Sequence, residues 1–247
     1  MPLLYLRRLT GSKRTESANR HLARFLAFIA GAANAGGLLA VGQYTSHMSG
    51  IISAMADNLA LGSMKLVFSG MGAVGAFLAG AFLTTVMVRW ARGRGLDSEY
   101  ALPLMLEAAL LGVFGLTGRV YVPGHFFVET VMLLCFTMGL QNAIITKISD
   151  AVIRTTHMTG MVTDMGISLG RIAVSLPRRE AKALDPEFAK LRLHGSLIGL
   201  FFAGGFIGAV GFKHVGFLFT LPLALVVLLM AAMPVIDDLA RGRDWAA

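Results

Sequence analysis

The chain contains one short motif twice, as Thr45-Ser46-His47-Met48-Ser49-Gly50 and again as Thr155-Thr156-His157-Met158-Thr159-Gly160. The match continues upstream, where Asn34 corresponds to Asn142. It also continues downstream, where each copy carries an aspartate and, several residues later, a glycine (57–62 and 164–170). A repeat that keeps asparagine, histidine and aspartate in the same order indicates two homologous halves. We therefore expect the function to lie in these polar segments of an otherwise apolar chain.

The composition is that of a membrane protein. Of 247 residues, 55% are hydrophobic and only 15% are charged, and the mean hydropathy is +0.69, which is too apolar for a soluble domain. The net charge of +8 does not indicate nucleic-acid binding, because the basic residues form short clusters between apolar runs, where they set membrane topology. The single cysteine, Cys135, predicts neither a disulfide framework nor a metal site. We expect no cofactor and no metal.

Apolar runs of about 20 residues, the length that crosses a bilayer, recur along the chain. They predict an all-α membrane protein with about six transmembrane helices and two short helices that begin at the motifs. The first short helix, about 15 residues from Met48, reaches only about 22 Å, less than the roughly 30 Å of a hydrocarbon core. The second is predicted over 158–169, and the six spans over 22–41, 66–88, 101–118, 126–146, 196–212 and 215–236.

The distribution of positive charge predicts that the short helices are re-entrant, entering and leaving the membrane on the same side. In that case 19 of the 22 lysines and arginines lie on the side of the N-terminus, all except Lys65, Arg119 and Lys213. If both short helices cross, five basic residues leave that side and two join it, so only 16 of the 22 remain. The positive-inside rule favours re-entrance, with both termini in the cytoplasm.

Three full spans in each half is an odd number, so the second half is inserted upside down relative to the first. Inverted-topology repeats with interrupted helices are typical of secondary transporters, whose sites lie at the midplane between the repeats. Within the second half, the charged stretch 171–194 predicts the longest polar connector. The predicted units are a cytoplasmic basic tail (1–20), a first membrane repeat (21–118), a second membrane repeat (126–236) and a cytoplasmic tail (237–247).

The candidate site residues are polar side chains in the motif segments. His47 and His157 are expected to face each other near the pseudo-twofold axis, where a pair that titrates near neutrality relays or senses protons. Asp57 and Asp164 are expected to be buried at low dielectric and to couple transport to protons or cations. The other candidates are amides that line a pathway or brace the motif, and hydroxyls that cap the short helices or contact solute: Asn34, Asn142, Thr45, Ser46, Thr155 and Thr156.

Other polar and small residues carry lesser expectations. Gln141 joins the amides that line or brace, and Gly50 and Gly160 are expected to let another backbone approach closely. Glu129 is expected near the membrane surface. Glu107 lies in the fourth segment and ranks below the motif residues as a candidate, because it occurs in one half only.

The two motifs resemble the two signatures of the YoaK family of bacterial membrane proteins. The first signature is carried by 31–62, and the second by 154–160, followed by Thr163-Asp164 and Leu169-Gly170. The similarity covers about residues 20 to 236, with one departure, Ile51 after Gly50 where relatives often have asparagine. The resemblance implies a place in the bacterial inner membrane and does not indicate a substrate.

These patterns predict an inner-membrane transporter or permease of a small polar or anionic solute, with proton coupling as one option and the site at the repeat interface. A passive channel with the same re-entrant helices is one alternative. An intramembrane enzyme or a structural membrane partner subunit is another, although the motifs of soluble nucleotide-binding and hydrolytic enzymes are missing from the sequence. The expected partners are the lipid bilayer, the solute and protons. Stripes of small residues also allow a homo-oligomer.

Overall fold

The computed structural model describes residues 2–12, 14–118, 127–149, 155–176 and 181–241. These residues form nine α-helices and a 3-10 turn at Gly216–Phe219, and the described ranges contain no strand. The all-α prediction is confirmed, whereas the predicted connector at 119–125 lies outside the described residues. The helices are α1 Pro2–Thr10, α2 Glu16–Val41, α3 Met48–Ala60, α4 Met64–Gly93, α5 Ala101–Thr117, α6 Phe127–Ile148, α7 Met158–Ser175, α8 Ala181–Val215 and α9 Thr220–Ala240.

Four helical stretches are long and apolar enough to cross a membrane: Glu16–Leu39, Met64–Gly93, Val128–Ile148 and Leu184–Ala240. The last stretch contains most of α8, the 3-10 turn and α9. The apolar helix α5 has 17 residues, a length of about 25 Å. Length and composition therefore give this chain the character of a multi-span membrane protein.

The first span begins earlier than the apolar pattern predicts. Thr15 caps α2 by accepting a hydrogen bond from the Ala18 amide at 3.2 Å, and Glu16 places a negative charge in the first turn, where the helix dipole favours it. At the other end the chain leaves the helix at Gly42, whose φ of +66° is left-handed and whose amide bonds back to the Leu38 carbonyl. Glycine adopts this conformation at little cost.

The predicted connector over 171–194 is wrong, because most of this stretch is helical. Helix α7 continues to Ser175, and α8 begins at Ala181. One charge pair joins the two helices, since Glu187 of α8 accepts a hydrogen bond from Arg171 of α7 at 3.0 Å, and within α8 it also accepts from Lys190 at 3.4 Å. Pro186 lies in the second turn of α8, where its missing amide removes one helical hydrogen bond.

Helices α2 and α8 pack together through reciprocal glycine contacts. A Cβ atom on Gly31 would lie 2.0 Å from the Phe201 carbonyl oxygen, and one on Gly204 would lie 2.0 Å from the Phe28 carbonyl oxygen. Only glycine allows two helix backbones to approach so closely. Contacts continue from Phe28 toward Val41 on α2 and from Gly204 toward Val215 on α8, so the two helices run parallel.

Helices α4 and α6 form an equivalent parallel pair. A Cβ atom on Gly80 would lie 2.1 Å from the Phe136 carbonyl oxygen, and a substitution at Gly139 meets the α4 backbone at 2.0 Å. Nearer the start of both helices, Gly72 lies against Met132. Gly72 and Gly80 of α4 therefore serve packing between helices of this chain.

Helices α2 and α6, which carry the corresponding residues Asn34 and Asn142, run in opposite directions. The Gln141 side chain donates to the Leu26 carbonyl at 3.4 Å, and the Asn19 side chain donates to the Ile148 carbonyl at 3.2 Å. Since the contact position moves forward on one helix as it moves backward on the other, α2 and α6 run antiparallel.

Helices α5 and α9 are likewise antiparallel. The end of α5 meets the start of α9, where a Cβ atom on Gly115 would lie 2.3 Å from the Thr220 hydroxyl oxygen. Just before α5, the Ser98 amide donates at 2.9 Å to Asp238 near the end of α9. This pair packs against the centre of the bundle, and α1 packs on α9 through a 2.8 Å hydrogen bond from Thr10 to the Met230 carbonyl.

Candidate functional site

Each motif lies at a break between two helices, and the first is held by an amide. The segment between α2 and α3 turns back alongside α2, because Asn34 donates to the Ser46 hydroxyl at 2.6 Å and accepts from the Ser46 amide at 3.2 Å. Asn34 lies about two turns, or 10 Å, before the end of α2. Helix α3 therefore begins inside the bundle and not at the end of α2.

The second motif is held in the same way. The Thr156 hydroxyl donates to the Asn142 side-chain oxygen at 2.6 Å, and the Asn142 amide group donates to the Met138 carbonyl at 2.9 Å. Residues 150–154, immediately upstream, lie outside the described ranges. Both asparagines thus fix a motif segment to the preceding helix. Of the two roles expected for them, lining a pathway and bracing the motif, these contacts are those of a brace.

The first turn of α3 is packed deep against its neighbours. Ile51 is buried in a cluster with Ala73 of α4 and Cys135 of α6, and Ala73 lies about 14 Å from the start of α4. Further along, Met55 packs against Gly70 of α4. Successive α3 residues therefore meet earlier α4 residues, so the two helices form an antiparallel hairpin.

The hydroxyl residues of the motifs do not cap the short helices, and the capping prediction is wrong. The residues in the cap positions are His47 and His157, and neither side chain makes a capping hydrogen bond. Thr45 and Thr155, two residues earlier, are completely buried, and neither hydroxyl oxygen has a hydrogen-bond partner among the described residues. These two oxygens are matched polar groups enclosed by protein.

The motif glycines make room for the histidine rings. A Cβ atom on Gly50 would lie 2.2 Å from the His47 ring, and one on Gly160 would lie 2.3 Å from the His157 ring. Each ring therefore folds over the first turn of its own short helix. We expected another backbone to approach these glycines, but the group nearest to each is the histidine ring of its own motif.

The histidines do not form the facing pair that the sequence predicts. Helix α3 packs on α4, α4 on α6, α6 on α2, α2 on α8, and α8 on α7. Four helices therefore separate the two motif helices, which lie on opposite flanks of the bundle. His47 and His157 are both exposed on these flanks. The expectation failed because it depended on the lateral order of helices, which the repeat alone does not determine.

The two aspartates are exposed, and the expectation of burial in low dielectric is wrong. Asp57 and Asp164 both lie on the outer face of their helices, away from α4 and α8. The spacing from the motif histidines also differs, so that Asp164 corresponds in helix position to Ala54, not to Asp57. Any pathway through these carboxylates has to run along the flanks of the bundle.

A carboxyl group that ranked low from the sequence lies at the centre. Glu107 of α5 and Gln141 of α6 both have zero exposure, and the Gln141 amide group donates to the Glu107 carboxyl oxygen Oε1 at 2.8 Å. The same amide nitrogen reaches the Leu26 carbonyl of α2. The signal in the sequence is a lone carboxylate within an apolar helix, and it ranked below the motif residues because the other half has no counterpart.

One end of the bundle carries a charged cavity of about 480 Å³. Arg7 of α1 pairs with Asp237 of α9 at 2.6 Å, and Arg241 pairs with Asp97. Beside this cluster, burial lowers the pKa of Arg14, which stacks on the Tyr100 ring at 3.9 Å. The residues lining the cavity are Arg7, Arg8, Ser12, Asp97, Pro234, Asp237 and Arg241.

Among the described residues, no three histidine, cysteine, aspartate or glutamate side chains lie close enough together to bind a metal ion. The thiol of Cys135 is buried and free. The Glu107–Gln141 pair and the two buried threonine hydroxyls are among the buried groups of the described residues that keep an unbonded polar atom.

Comparison with known proteins agrees with the membrane character of these helices. The chain is 29% identical over 155 residues to the UPF0700 transmembrane protein YoaK of Bacillus subtilis (strain 168), which covers 61% of this chain and 68% of that protein. No solved structure matches the chain. A family model described as "Protein of unknown function (DUF1275)" matches residues 22–233. The chain therefore belongs to the DUF1275 family, and the resemblance to YoaK is confirmed.

Proposed function

We propose that residues 21–118 and 126–236 are two membrane repeats of inverted topology. Helices α2 and α6 carry the matched asparagines and run antiparallel. Helices α5 and α9 begin with similar sequences, Ala101-Leu102-Pro103-Leu104 and Thr220-Leu221-Pro222-Leu223, and also run antiparallel. Matched helices that run in opposite directions are what an inverted repeat requires.

In this arrangement six helices cross the bilayer, and α3 and α7 enter and leave on one side each. The 13 residues of α3 reach about 20 Å, short of the roughly 30 Å hydrocarbon core. Its first turn lies beside Ala73, and its last turn joins α4 through a tight turn at Gly62, where φ is +72°. A helix that starts within the bundle and ends where α4 begins does not cross.

The charge at the two ends of the bundle supports an orientation with both termini in the cytoplasm of a bacterium. The start of α2 and the ends of α4, α6 and α9 meet at one end, which is rich in arginine and lysine, whereas the opposite end has Lys65 and Lys213. The positive-inside rule assigns the basic end to the cytoplasm. The similarity to a transmembrane protein of Bacillus subtilis (strain 168) supports a place in a bacterial membrane.

The function that this geometry supports best is transport of a small polar solute across that membrane. The observation that carries the proposal is the crossing of α2 and α6, matched helices of opposite halves, at a buried polar contact made by Gln141. Polar groups inside a membrane bundle mark solute and proton pathways, and a site between inverted repeats becomes accessible from either side as one half moves against the other.

The test is solute exchange by the full-length protein in liposomes loaded with a defined mixture of amino acids, amines, sugars and organic acids, followed by mass spectrometry. In a Cys135→Ala background, Asn19→Cys and Ile148→Cys permit a short bifunctional thiol reagent to join α2 to α6, whose contact residues these are. The matched control joins α3 to α4 within one half, through Met55→Cys and Gly70→Cys.

We expect at least one solute to exchange faster than in protein-free liposomes, and we expect the α2–α6 cross-link to stop this exchange while the α3–α4 cross-link leaves it intact. Exchange that continues with α2 joined to α6 would indicate a passive channel. If no solute in the mixture moves faster than in protein-free liposomes, the transport proposal is contradicted, and a structural partner role becomes the better account.

A further inference from the structure

The Glu107–Gln141 pair is an incompletely bonded polar group in a closed interior. Glu107 uses one carboxyl oxygen, Oε1, to accept the Gln141 amide hydrogen at 2.8 Å. The second carboxyl oxygen of Glu107 and the side-chain oxygen of Gln141 are both buried, and neither has a hydrogen-bond partner among the described residues. A buried polar atom left without a partner costs roughly 1–3 kcal/mol, so a missing partner is expected here.

The chemistry of these two atoms defines that partner. Both are acceptor oxygens, so they need a hydrogen-bond donor or a positive charge and would repel an anion. Hard metal cations in proteins take about six or more oxygen ligands, whereas this pair leaves two oxygens free. A proton needs one oxygen to bind it and a second oxygen to accept its hydrogen bond, and the pair supplies these two oxygens.

The surroundings contain no charge that would take the place of a proton. The helices packed around Glu107 carry their charged groups toward their ends, and no charged side chain of the described residues interacts with this carboxyl group. Among the charged groups on these helices are Arg24 of α2, Arg92 of α4, Glu129 and Lys147 of α6, and Asp237 and Asp238 of α9.

We propose that Glu107, with Gln141 as its partner, is the proton-binding site of the protein. A proton bound to the free carboxyl oxygen of Glu107 makes that oxygen a hydrogen-bond donor, and a donor is what the side-chain oxygen of Gln141 lacks. Because Gln141 also bonds to the Leu26 carbonyl of α2, the pair lies where matched helices of the two halves cross. This inference rests on the proposed transport function, in which movement of one half against the other breaks the pair and releases the proton.

The test is infrared difference spectroscopy of the full-length protein in lipid, titrated from acidic to alkaline pH. We expect one protonated carboxyl signal to be lost in Glu107→Gln and to remain in Glu129→Gln, whose carboxyl group is exposed near the start of α6. The exchanged pair Glu107→Gln with Gln141→Glu puts the carboxyl group on the other helix and is expected to restore the signal. An identical signal in wild type and Glu107→Gln at every pH overturns the proposal.

Liposome flux separates this proposal from the transport proposal. We expect an imposed proton gradient to drive solute accumulation by wild type and by Glu129→Gln, and accumulation by Glu107→Gln to fall to the protein-free level. If the infrared signal belongs to Glu107 but no gradient drives any flux, the proton site stands and the transport proposal fails. If gradient-driven flux is unchanged in Glu107→Gln, transport stands and the proton site is wrong.

Discussion

The two matched asparagines differ in their surroundings from a glutamate that occurs in only one half. Asn34 and Asn142 each hold a motif segment against the preceding helix through hydrogen bonds within the protein. Glu107 has no counterpart, because Val226 takes its position when α5 is aligned with α9. The matched asparagines hold the motif segments in place, and the chemistry is expected at the carboxyl group that occurs once.

The largest expected effect tests whether duplicated contacts are structural in both halves. Gly80→Ala and Gly204→Ala each drive a methyl group into a carbonyl oxygen of the neighbouring helix at about 2 Å. We expect each to lower the free energy of unfolding by about 3 kcal/mol, measured by thermal or denaturant unfolding in detergent.

The matched controls are Gly75→Ala and Gly199→Ala, which occupy corresponding positions where nothing lies within 4 Å of the added Cβ atom. We expect these two variants to be unchanged or stabilised by about 0.5–1 kcal/mol, because alanine is the better helix former. A loss at Gly75 or Gly199 equal to that at Gly80 or Gly204 would show that helix packing is not as described.

The next effect concerns the asparagine braces. Asn34→Leu removes two bonds to Ser46 and is expected to cost about 2 kcal/mol, whereas Asn142→Leu removes one bond to the motif and is expected to cost about 1 kcal/mol. Asn58→Leu is the control, because Asn58 bonds only within α3, to the Ala54 carbonyl. If both brace variants were as stable as the control, the motif segments would not depend on these amides.

A smaller effect tests the contact between histidine and glycine within each motif. Gly50→Ala is expected to cost about 1 kcal/mol in the wild type, because the new methyl group meets the His47 ring, and close to nothing in a His47→Ala background. A double-mutant cycle measures this coupling, with Gly160 and His157 as its repeat. Additive effects in both motifs would mean that the rings do not lie over the first turn.

The smallest effect on stability is expected at the single-copy residue. Glu107→Gln keeps the shape of the side chain and the oxygen that accepts from Gln141, so the free energy of unfolding should change by less than about 1 kcal/mol. The same variant should lose the proton signal described above. A stability loss as large as that of Asn34→Leu would instead assign Glu107 to the architecture.

The sequence predicted what depends on local pattern and failed where lateral packing decides. The all-α structure follows from hydropathy, and the short helix α3 follows from the motif, whereas α7 has 18 residues and runs past the predicted range of 158–169. The location of His47 and His157 on opposite flanks depends on which helix packs beside which, and spacing along a chain carries no such information. The extension of α8 through Pro186 was missed because a charged stretch suggested a loop, whereas Glu187 of α8 pairs with Arg171 of α7.

The candidate site was missed for a related reason. Correspondence between the two halves favours the motif residues over any residue that occurs once, such as Glu107. Its partner Gln141 was recognised as an interior amide, but the crossing of α2 and α6 that brings the pair together follows only from the packing of the helices. Burial of a lone carboxylate in an apolar helix was the signal to weigh more heavily.

The central claim is that matched helices run in opposite directions because the short motif helices do not cross the membrane. It is tested most directly by labelling Lys65→Cys and Arg94→Cys, each in a Cys135→Ala background, with a membrane-impermeant maleimide in intact cells. We expect Lys65→Cys to be labelled from outside, and Arg94→Cys only after the membrane is permeabilised. Labelling of Arg94→Cys in intact cells, with Lys65→Cys protected, would mean that α3 crosses, and would contradict the inverted arrangement.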